Sequence, residues 1–504
     1  MPKKIYILII ALLLQNLYSF SQNFPFPQHS DYYSHIKPSQ YTQEQLDDQV
    51  RSFYDGWKNK HLINGCEDNH YYVYVDDGNT ITVSEAMGYG MMIIPLMAGY
   101  DADARIYFDG LYRYYKAHPS YITPHLMAWK QITGCVNSGG PDSASDGDID
   151  IAFGLLLAHA QWGSDGDINY LHEARLIIND IMGNNSSEGD INQIFNTVKL
   201  GDWVTGGSYM NGTRTSDFIT DHFRSFECAS HDTTWSDVVD KCYDLISDMQ
   251  TNYSPETGLL PDFIDDIDTE PRPADPNYLE GELDGNYSYN ACRDPWRLAN
   301  DYLIYGDERA QTAVIKIDEW LLESSGGSAN HVYAGYYLDG TKAVGWTDIS
   351  FTAPFAVGAM LDTNNQEWLN TLYSKILMSN VNSGGYYDNT LKLLSMITLS
   401  GNYWVPPCEL INGIADRNNS GKQYFKIYPT VTEGKLTVIL NKNAGNETLY
   451  LSVFNCTGHL MLKETFQYAQ KRVIDLSDYS DGIYLVNLTA KNGELLGKQK
   501  AIKR

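Results

Sequence analysis

The sequence predicts a mainly α-helical protein with a small β-rich domain appended towards its C-terminal end. From about residue 40 to 405, apolar residues recur at spacings of three and four, notably in 85–98, 151–162, 314–322 and 391–399, the period of helices with a buried face. After residue 424 the period falls to two: KLTVIL (435–440), TLYLSVF (448–454) and GIYLVNLTA (482–490) are rich in β-branched and aromatic residues. Charge changes at the same place. Residues 424–504 carry a net +4 and residues 23–423 a net −33, within a formal total of −27.

Taken in chain order, residues 1–22 read as a signal peptide: Lys3 and Lys4 precede an apolar run from Ile5 to Leu14 that is too short to cross a bilayer. The mature protein is therefore expected to be exported, with no transmembrane segment, and either secreted or attached to the outer surface. In the helical part, TVSEAMGYGMMII (82–94) places Glu85 between Ser84 and a Gly-Tyr-Gly stretch at the mouth of an apolar helix. Further on, ASDGDIDIAFGLLLAHAQW (144–162) sets Asp146, Asp148 and Asp150 at alternating positions before a second apolar helix. Like charges this close raise one another's pKa and need hydrogen-bond partners, a positive partner or a ligand. Two carboxylate sites, each at a helix start beside small residues that leave room for a ligand, suggest acid and base work on a polymer. PPCELINGIADRNNSGKQ (406–423) breaks the helical pattern and reads as a linker. Beyond it, Asn492-Gly493 before ELLGKQKAI is a two-residue hairpin signal.

Bulk properties narrow the function. A charge of −27 disfavours polyanions, so nucleic acid is not an expected partner. The 38 Tyr and 10 Trp suit stacking on sugar rings, although most belong to a core. Seven cysteines without a CxxC spacing argue against a zinc cluster, and their odd number leaves at least one thiol free or joined to another chain.

These segments resemble glycoside hydrolase family 8. ASDGDIDIAFGLLLAHAQW matches the signature of that family nearly throughout, and TVSEAMGYGM resembles the segment carrying its proton donor. HFRSFE (222–227), YNACRDPWRLANDYLIYGD (289–307) and GGYYDNTLKLLSMITLSGNYW (384–404) agree in the same order over roughly residues 40–405. The resemblance implies an (α/α)6 barrel and inverting endo-hydrolysis of β-1,4-linked glucan, chitosan, xylan or mixed-linkage β-glucan, with no metal or organic cofactor. Carried over, Glu85 is the general acid and Asp146 the residue that binds and helps distort the sugar at the cleavage point, while Asp148 and Asp150 hold loop and helix together.

The general base departs from part of the family. Many members carry an aspartate where this chain has Asn290, and an amide cannot take a proton from water. Either the chain is inactive, a surface glycan-binding protein that keeps the cleft, or the base comes from elsewhere. One subgroup with this asparagine supplies a glutamate from the preceding loop, which here reads PRPADPNYLEGELDG (271–285); Glu280 is the first candidate and Glu282 the reserve. Trp129, Trp203, Tyr289, Asn290, Arg293, Tyr386 and Tyr387 fall in segments resembling the sugar cleft. Arg293 could position a carboxylate or a sugar hydroxyl, or only pair with Asp294 or Asp301. Cys292 reads as a buried small residue.

Residues from about 424, with IYPTVTEGKLTV, DLSDYSDGIYLVNLTA and the terminal GKQKAIKR, resemble the sorting domain of the type IX secretion system. That resemblance implies an immunoglobulin-like β-sandwich recognised at the outer membrane after passage through the periplasm; a carbohydrate-binding module is the rival reading. The expected division is a signal peptide at 1–22, a catalytic domain at 23–405, a linker at 406–423 and a sorting domain at 424–504. The expected function is a secreted endo-β-1,4-glycanase acting on β-glucan or chitosan. A lyase on a similar helical barrel is a third possibility, distinguished by its unsaturated product.

Overall fold

The computed structural model describes residues 22–184 and 188–412 of a helical unit, and residues 425–429, 431–440, 449–455, 459–466, 471–489 and 495–504 of a β unit. The expected signal peptide, apart from its last residue, lies outside the described residues, as does the Asn492-Gly493 hairpin signal. The chain divides into two compact units at residues 413 and 414.

In the helical unit two kinds of helix alternate. Helices α2 (Ser84–Leu96), α4 (Ser145–Trp162), α6 (Thr220–Ser230), α8 (Asp294–Tyr305), α10 (Ile349–Gly358) and α12 (Tyr386–Leu399) form an inner set. Several are buried on nearly every side: in α2 only Glu85 escapes burial, and in α10 only Ile349. The outer set is α1 (Gln43–His61), α3 (Ala104–Ala117), α5 (Tyr170–Met182), α7 (Thr234–Asn252), α9 (Glu308–Ser325) and α11 (Gln366–Met378). These are amphipathic, each burying one stripe; α3 buries Ala104, Phe108, Leu111, Tyr114 and Tyr115 while Arg105 and Arg113 are only partly buried. Each outer helix packs on an inner one: α3 on α2, α5 on α4, α7 on α6, α9 on α8, α11 on α10 and α1 on α12. Inner neighbours meet in the order α2, α4, α6, α8, α10, α12, and a hydrogen bond from Tyr386 at the start of α12 to Glu85 in α2 joins the last to the first. The alternation is consistent with an (α/α)6 barrel.

Glycines set the approach of α2 to α4. A Cβ on Gly147 would lie 2.4 Å from Ser84 Oγ, and one on Gly88 would lie 2.6 Å from Asp150 Cβ. In the sequence these small residues are expected to leave room for a ligand. The structure fills that room with the neighbouring helix, because only glycine lets two helix backbones come this close.

Residues 408–411, expected to be linker, instead form a short helix, α13 (Cys408–Ile411), attached to the helical unit. Cys408 is bonded to Cys228 of α6, Leu410 O pairs with His159, and Arg175 donates to Ile411 O. Paired prolines suggested a break, yet proline also suits the residues just ahead of a helix. A second disulfide joins Cys66 to Cys135, and Cys242 and Cys292 are free and buried. Cys456 lies outside the described residues.

The β unit contains two sheets. One orders β5 (Phe425–Tyr428), β7 (Lys435–Leu440) and β10 (Lys471–Asp475) antiparallel; the other orders β6 (Val431–Thr432), β12 (Leu495–Lys503), β11 (Gly482–Thr489), β8 (Leu449–Asn455) and β9 (Leu460–Phe466). Alternate residues of β7 and β11 are buried. Leu436 and Val438 of the first sheet share one core with Leu451, Val453 and Val486 of the second.

Candidate active site

A cleft of about 890 Å³ in the helical unit is lined by the starts of several inner helices and the loops before them. Two short strands deliver the first carboxylate: β1 (Thr80–Val83) pairs with β2 (Lys130–Ile132), and Ser84 N donates to Trp129 O at 2.9 Å, so Glu85 enters α2 next to the Trp129 backbone. Asp146 stands in the first turn of α4, whose Ser145 hydroxyl is tied to Lys199 O. Because α2 and α4 touch at Gly88 and Gly147, the two carboxylates share one cation.

That cation is Arg293, 1 % exposed. Its Nη1 donates to Glu85 Oε2 at 2.7 Å and Asp146 Oδ2 at 2.9 Å; its Nη2 donates to Asn290 Oδ1 at 2.8 Å and Ser216 Oγ at 2.7 Å. Asp294 and Asp301 are not its partners; Asp301 binds Arg224 instead. Glu85 is partly buried, and the Tyr386 hydroxyl donates to its Oε1 at 2.9 Å. Burial pushes the Glu85 carboxyl up, Arg293 pulls it back, and the Asp146 charge adds to the rise, leaving it above its ordinary value. Burial acts on Asp146 in the same direction, but Arg214 and Arg293 outweigh it and hold that carboxyl below the usual range. Two neighbouring carboxyls are thus driven apart, one towards the protonated and one towards the ionised form.

Across the cleft, the loop before α8 carries Glu280. The Asp284 carboxylate, itself 3 % exposed, accepts from the backbone N–H groups of Leu279, Glu280 and Gly281 at 2.6, 2.9 and 2.8 Å, which fixes the turn. Glu280 Oε2 accepts from Asn290 Nδ2 at 2.8 Å, and Oε1 lies 3.6 Å from Arg214 Nη2. Glu282 is exposed, accepts from Asn277 Nδ2 at 2.9 Å and is absent from the cleft lining. The amide orientation of Asn290 follows from its neighbours: its oxygen meets Arg293, and its NH2 group meets Glu280 and, at 3.5 Å, Asp262. A bonded path therefore runs from Glu85 through Arg293 and Asn290 to Glu280.

Trp129, Trp203, Tyr289, Asn290, Arg293 and Tyr387 all line the cleft. Tyr386 does not; it is 7 % exposed and stands behind Glu85, so its reach is to the carboxyl rather than to a sugar. Asp148 accepts from Met127 N at 2.7 Å and so ties a loop to α4, whereas Asp150 is held by Arg297 at 2.8 and 3.0 Å and ties α4 to α8 rather than to a loop; both are buried. Cys292 is buried.

Sequence reasoning missed several members. Arg214, on β3 (Thr213–Arg214), reaches Asp146 and Glu280 from a strand paired with β4 (Phe263–Asp265). Asp262 accepts from Ser288 N and Ala291 N and orients the turn that carries Asn290. Neither has a local pattern that marks it. Asp348 and Asp388 face each other in the cleft, and burial and the Asp348 charge push Asp388 up to about 6. Asp388 follows directly on Tyr387, and Asp348 was legible as a helix cap, accepting from Ser350 N at 3.0 Å.

Residues 51–401 match the family described as Glycosyl hydrolases family 8, and residues 426–503 match a secretion system C-terminal sorting domain. A beta-glucanase of Niallia circulans is 45% identical over 395 residues, covering 78% of this chain and 94% of that protein. An endoglucanase of Bacillus sp. (strain KSM-330) is 37% identical over 392 residues, 76% of this chain and 82% of its own. The structure of a beta-1,3-1,4-glucanase from Paenibacillus sp. X4 superposes with a TM-score of 0.73 at 46% identity, covering 76% of this chain and 99% of that one.

Proposed function

The chain belongs to glycosyl hydrolase family 8 and is a glycoside hydrolase, and on that premise we propose that it is an endo-acting β-glucanase that inverts configuration at the cleaved bond. The path Glu85–Arg293–Asn290–Glu280 along the cleft carries this reading. Glu85, with its raised pKa, gives its proton to the leaving glycosidic oxygen. Glu280 takes a proton from a water that adds its oxygen to the anomeric carbon from the opposite face. Such a pair needs carboxyls roughly 6.5–9.5 Å apart to admit the water. Asp146, kept ionised, grips a hydroxyl of the sugar at the cleavage point and favours its distortion. Trp129, Trp203, Tyr289 and Tyr387 offer ring faces and hydroxyls to successive sugars.

The names of the relatives favour β-glucan, including mixed-linkage glucan, over chitosan or xylan. The inactive glycan-binding reading rested on Asn290, and in that position the amide holds Glu280 into the cleft, so no observation favours it. The helical unit is read as a closed (α/α)6 barrel and the β unit as a sandwich that sorts the protein, after signal-peptide export and passage through the periplasm, to the type IX machinery for secretion or surface attachment. No described helix is long and apolar enough to cross a membrane.

The test is reducing-end release by the purified protein on barley β-glucan, carboxymethylcellulose, chitosan and xylan, beside Glu85→Gln. Release from the glucans that falls at least about a thousandfold in the variant is the expected outcome. Release that persists in Glu85→Gln removes Glu85 as the acid, and no release from any glycan by the wild type overturns the reading as a whole.

A further inference from the structure

Trp346 stands 56 % exposed beside the cleft, in none of the segments that resemble the family signature. A lone exposed aromatic is ordinary on a protein surface. Trp346 differs in being held at both backbone and side chain. Its carbonyl accepts from Ala334 N at 3.0 Å, closing a hairpin in which Ala343 N donates to Gly335 O and Tyr337 N to Thr341 O. That hairpin is pinned to the cleft wall, because Tyr336 and Tyr287 exchange backbone hydrogen bonds at 2.9 and 3.1 Å, two residues before Tyr289. The indole Nε1 donates to the Tyr289 hydroxyl at 3.4 Å, and that hydroxyl donates to Asp348 Oδ2 at 3.2 Å. Tyr289, itself 39 % exposed, is further fixed edge-on to Phe351 with centroids 5.1 Å apart.

An indole whose one polar group is turned inward and bonded leaves its apolar surface as the part that faces out. On a fixed loop, that surface stays uncovered by the protein's own side chains and loses little conformational freedom when something stacks on it. The polar groups nearest to it are those that suit hydroxyls: Asp348 and Asp388, which face each other at this part of the cleft. We propose that Trp346, with Tyr289 and the Asp348–Asp388 pair of the cleft wall, forms an additional sugar subsite at the edge of the cleft, a platform on which one pyranose of a neutral β-glucan chain stacks by its C–H face while the carboxyl pair bonds its hydroxyls. A proton on Asp388, whose carboxyl burial and the Asp348 charge push up, gives the subsite a donor beside the acceptor oxygens of Asp348. The subsite extends the glycanase reading given above and rests on it.

The test compares Trp346→Ala, Trp346→Phe and the wild-type protein on β-glucan and on a ladder of gluco-oligosaccharides, with kcat and KM measured at each length. The ratio of kcat/KM on long chains to that on the shortest cleaved chain is expected to fall five- to tenfold in Trp346→Ala, chiefly through KM, and to recover in Trp346→Phe. A loss equal at every length, or a ratio within twofold of the wild type, overturns the subsite, as does failure of Trp346→Phe to recover while its melting temperature matches the wild type. Absence of release by the wild type on every glucan is a separate result: it removes the glycanase reading itself.

Discussion

Replacing Asn290 by aspartate installs the residue that many family members carry at this position, and the structure predicts that it harms this enzyme. Asn290 Nδ2 donates to Glu280 Oε2 at 2.8 Å while its oxygen accepts from Arg293. An aspartate keeps the Arg293 bond with one oxygen and turns the other, an acceptor, onto an acceptor. Two full charges 2.8 Å apart at an effective dielectric of about 20 would repel by about 6 kcal/mol. Glu280 is 49% exposed, so solvent reduces this to about 1–2 kcal/mol, or about one pK unit. The pair then retains a proton to higher pH, and the acid limb of the pH profile of kcat/KM moves up by about one unit. Loss of the N–H that aims Glu280 lowers the plateau as well, by about tenfold. The assay is reducing-end release from β-glucan across pH 4 to 9 for the wild type, Asn290→Asp and Asn290→Ala. An Asn290→Asp enzyme as fast as the wild type, with an unshifted acid limb, refutes the argument, for it would mean that position 290 can supply the base and that Glu280 is dispensable.

Tyr386→Phe removes the phenol that donates to Glu85 and helps to keep its pKa down, so the Glu85 carboxyl rises further; the alkaline limb of the rate profile moves to higher pH while the maximum falls several-fold, and a limb that moves down contradicts the arrangement. Asp190 is wholly buried, and burial together with Asp202 pushes its carboxyl up to about 8. The folded state therefore keeps a proton that the unfolded chain releases near pH 4, and stability falls as pH rises from about 4 to 8. Asp190→Asn, which retains an acceptor for the Ser143 hydroxyl, should raise the melting temperature at pH 8 with little effect at pH 4; the gain is on the order of a few kcal/mol, and a variant no more stable than wild type at pH 8 removes Asp190 from the balance.

Periodicity and local chemistry determined a good deal from the sequence alone. The change of period from helix to strand past residue 424 located the β unit, and the acidic run before α4 and the carboxylate before Gly-Tyr-Gly singled out Asp146 and Glu85. Those signals are local: spacing along one helix or strand follows from backbone geometry and is written in neighbouring residues. The tertiary structure decided what depends on residues far apart in the chain. The family resemblance already put Glu280 ahead of Glu282, but that Asp284 gathers three N–H groups to fix the turn, and that only Glu280 of the two lines the cleft, belongs to the tertiary structure. Arg293 could be named but not its partners, since Glu85 and Asp146 come to it from more than a hundred residues away. The glycines in the two signature helices looked like space for a ligand until α2 and α4 were seen in contact, and Pro406-Pro407 looked like a linker until the Cys228–Cys408 bond tied α13 to α6. Burial, desolvation and charge pairing are properties of three-dimensional neighbourhoods. The pKa ordering of Glu85 and Asp146, on which the proposed acid catalysis turns, therefore exists only once the chain has folded.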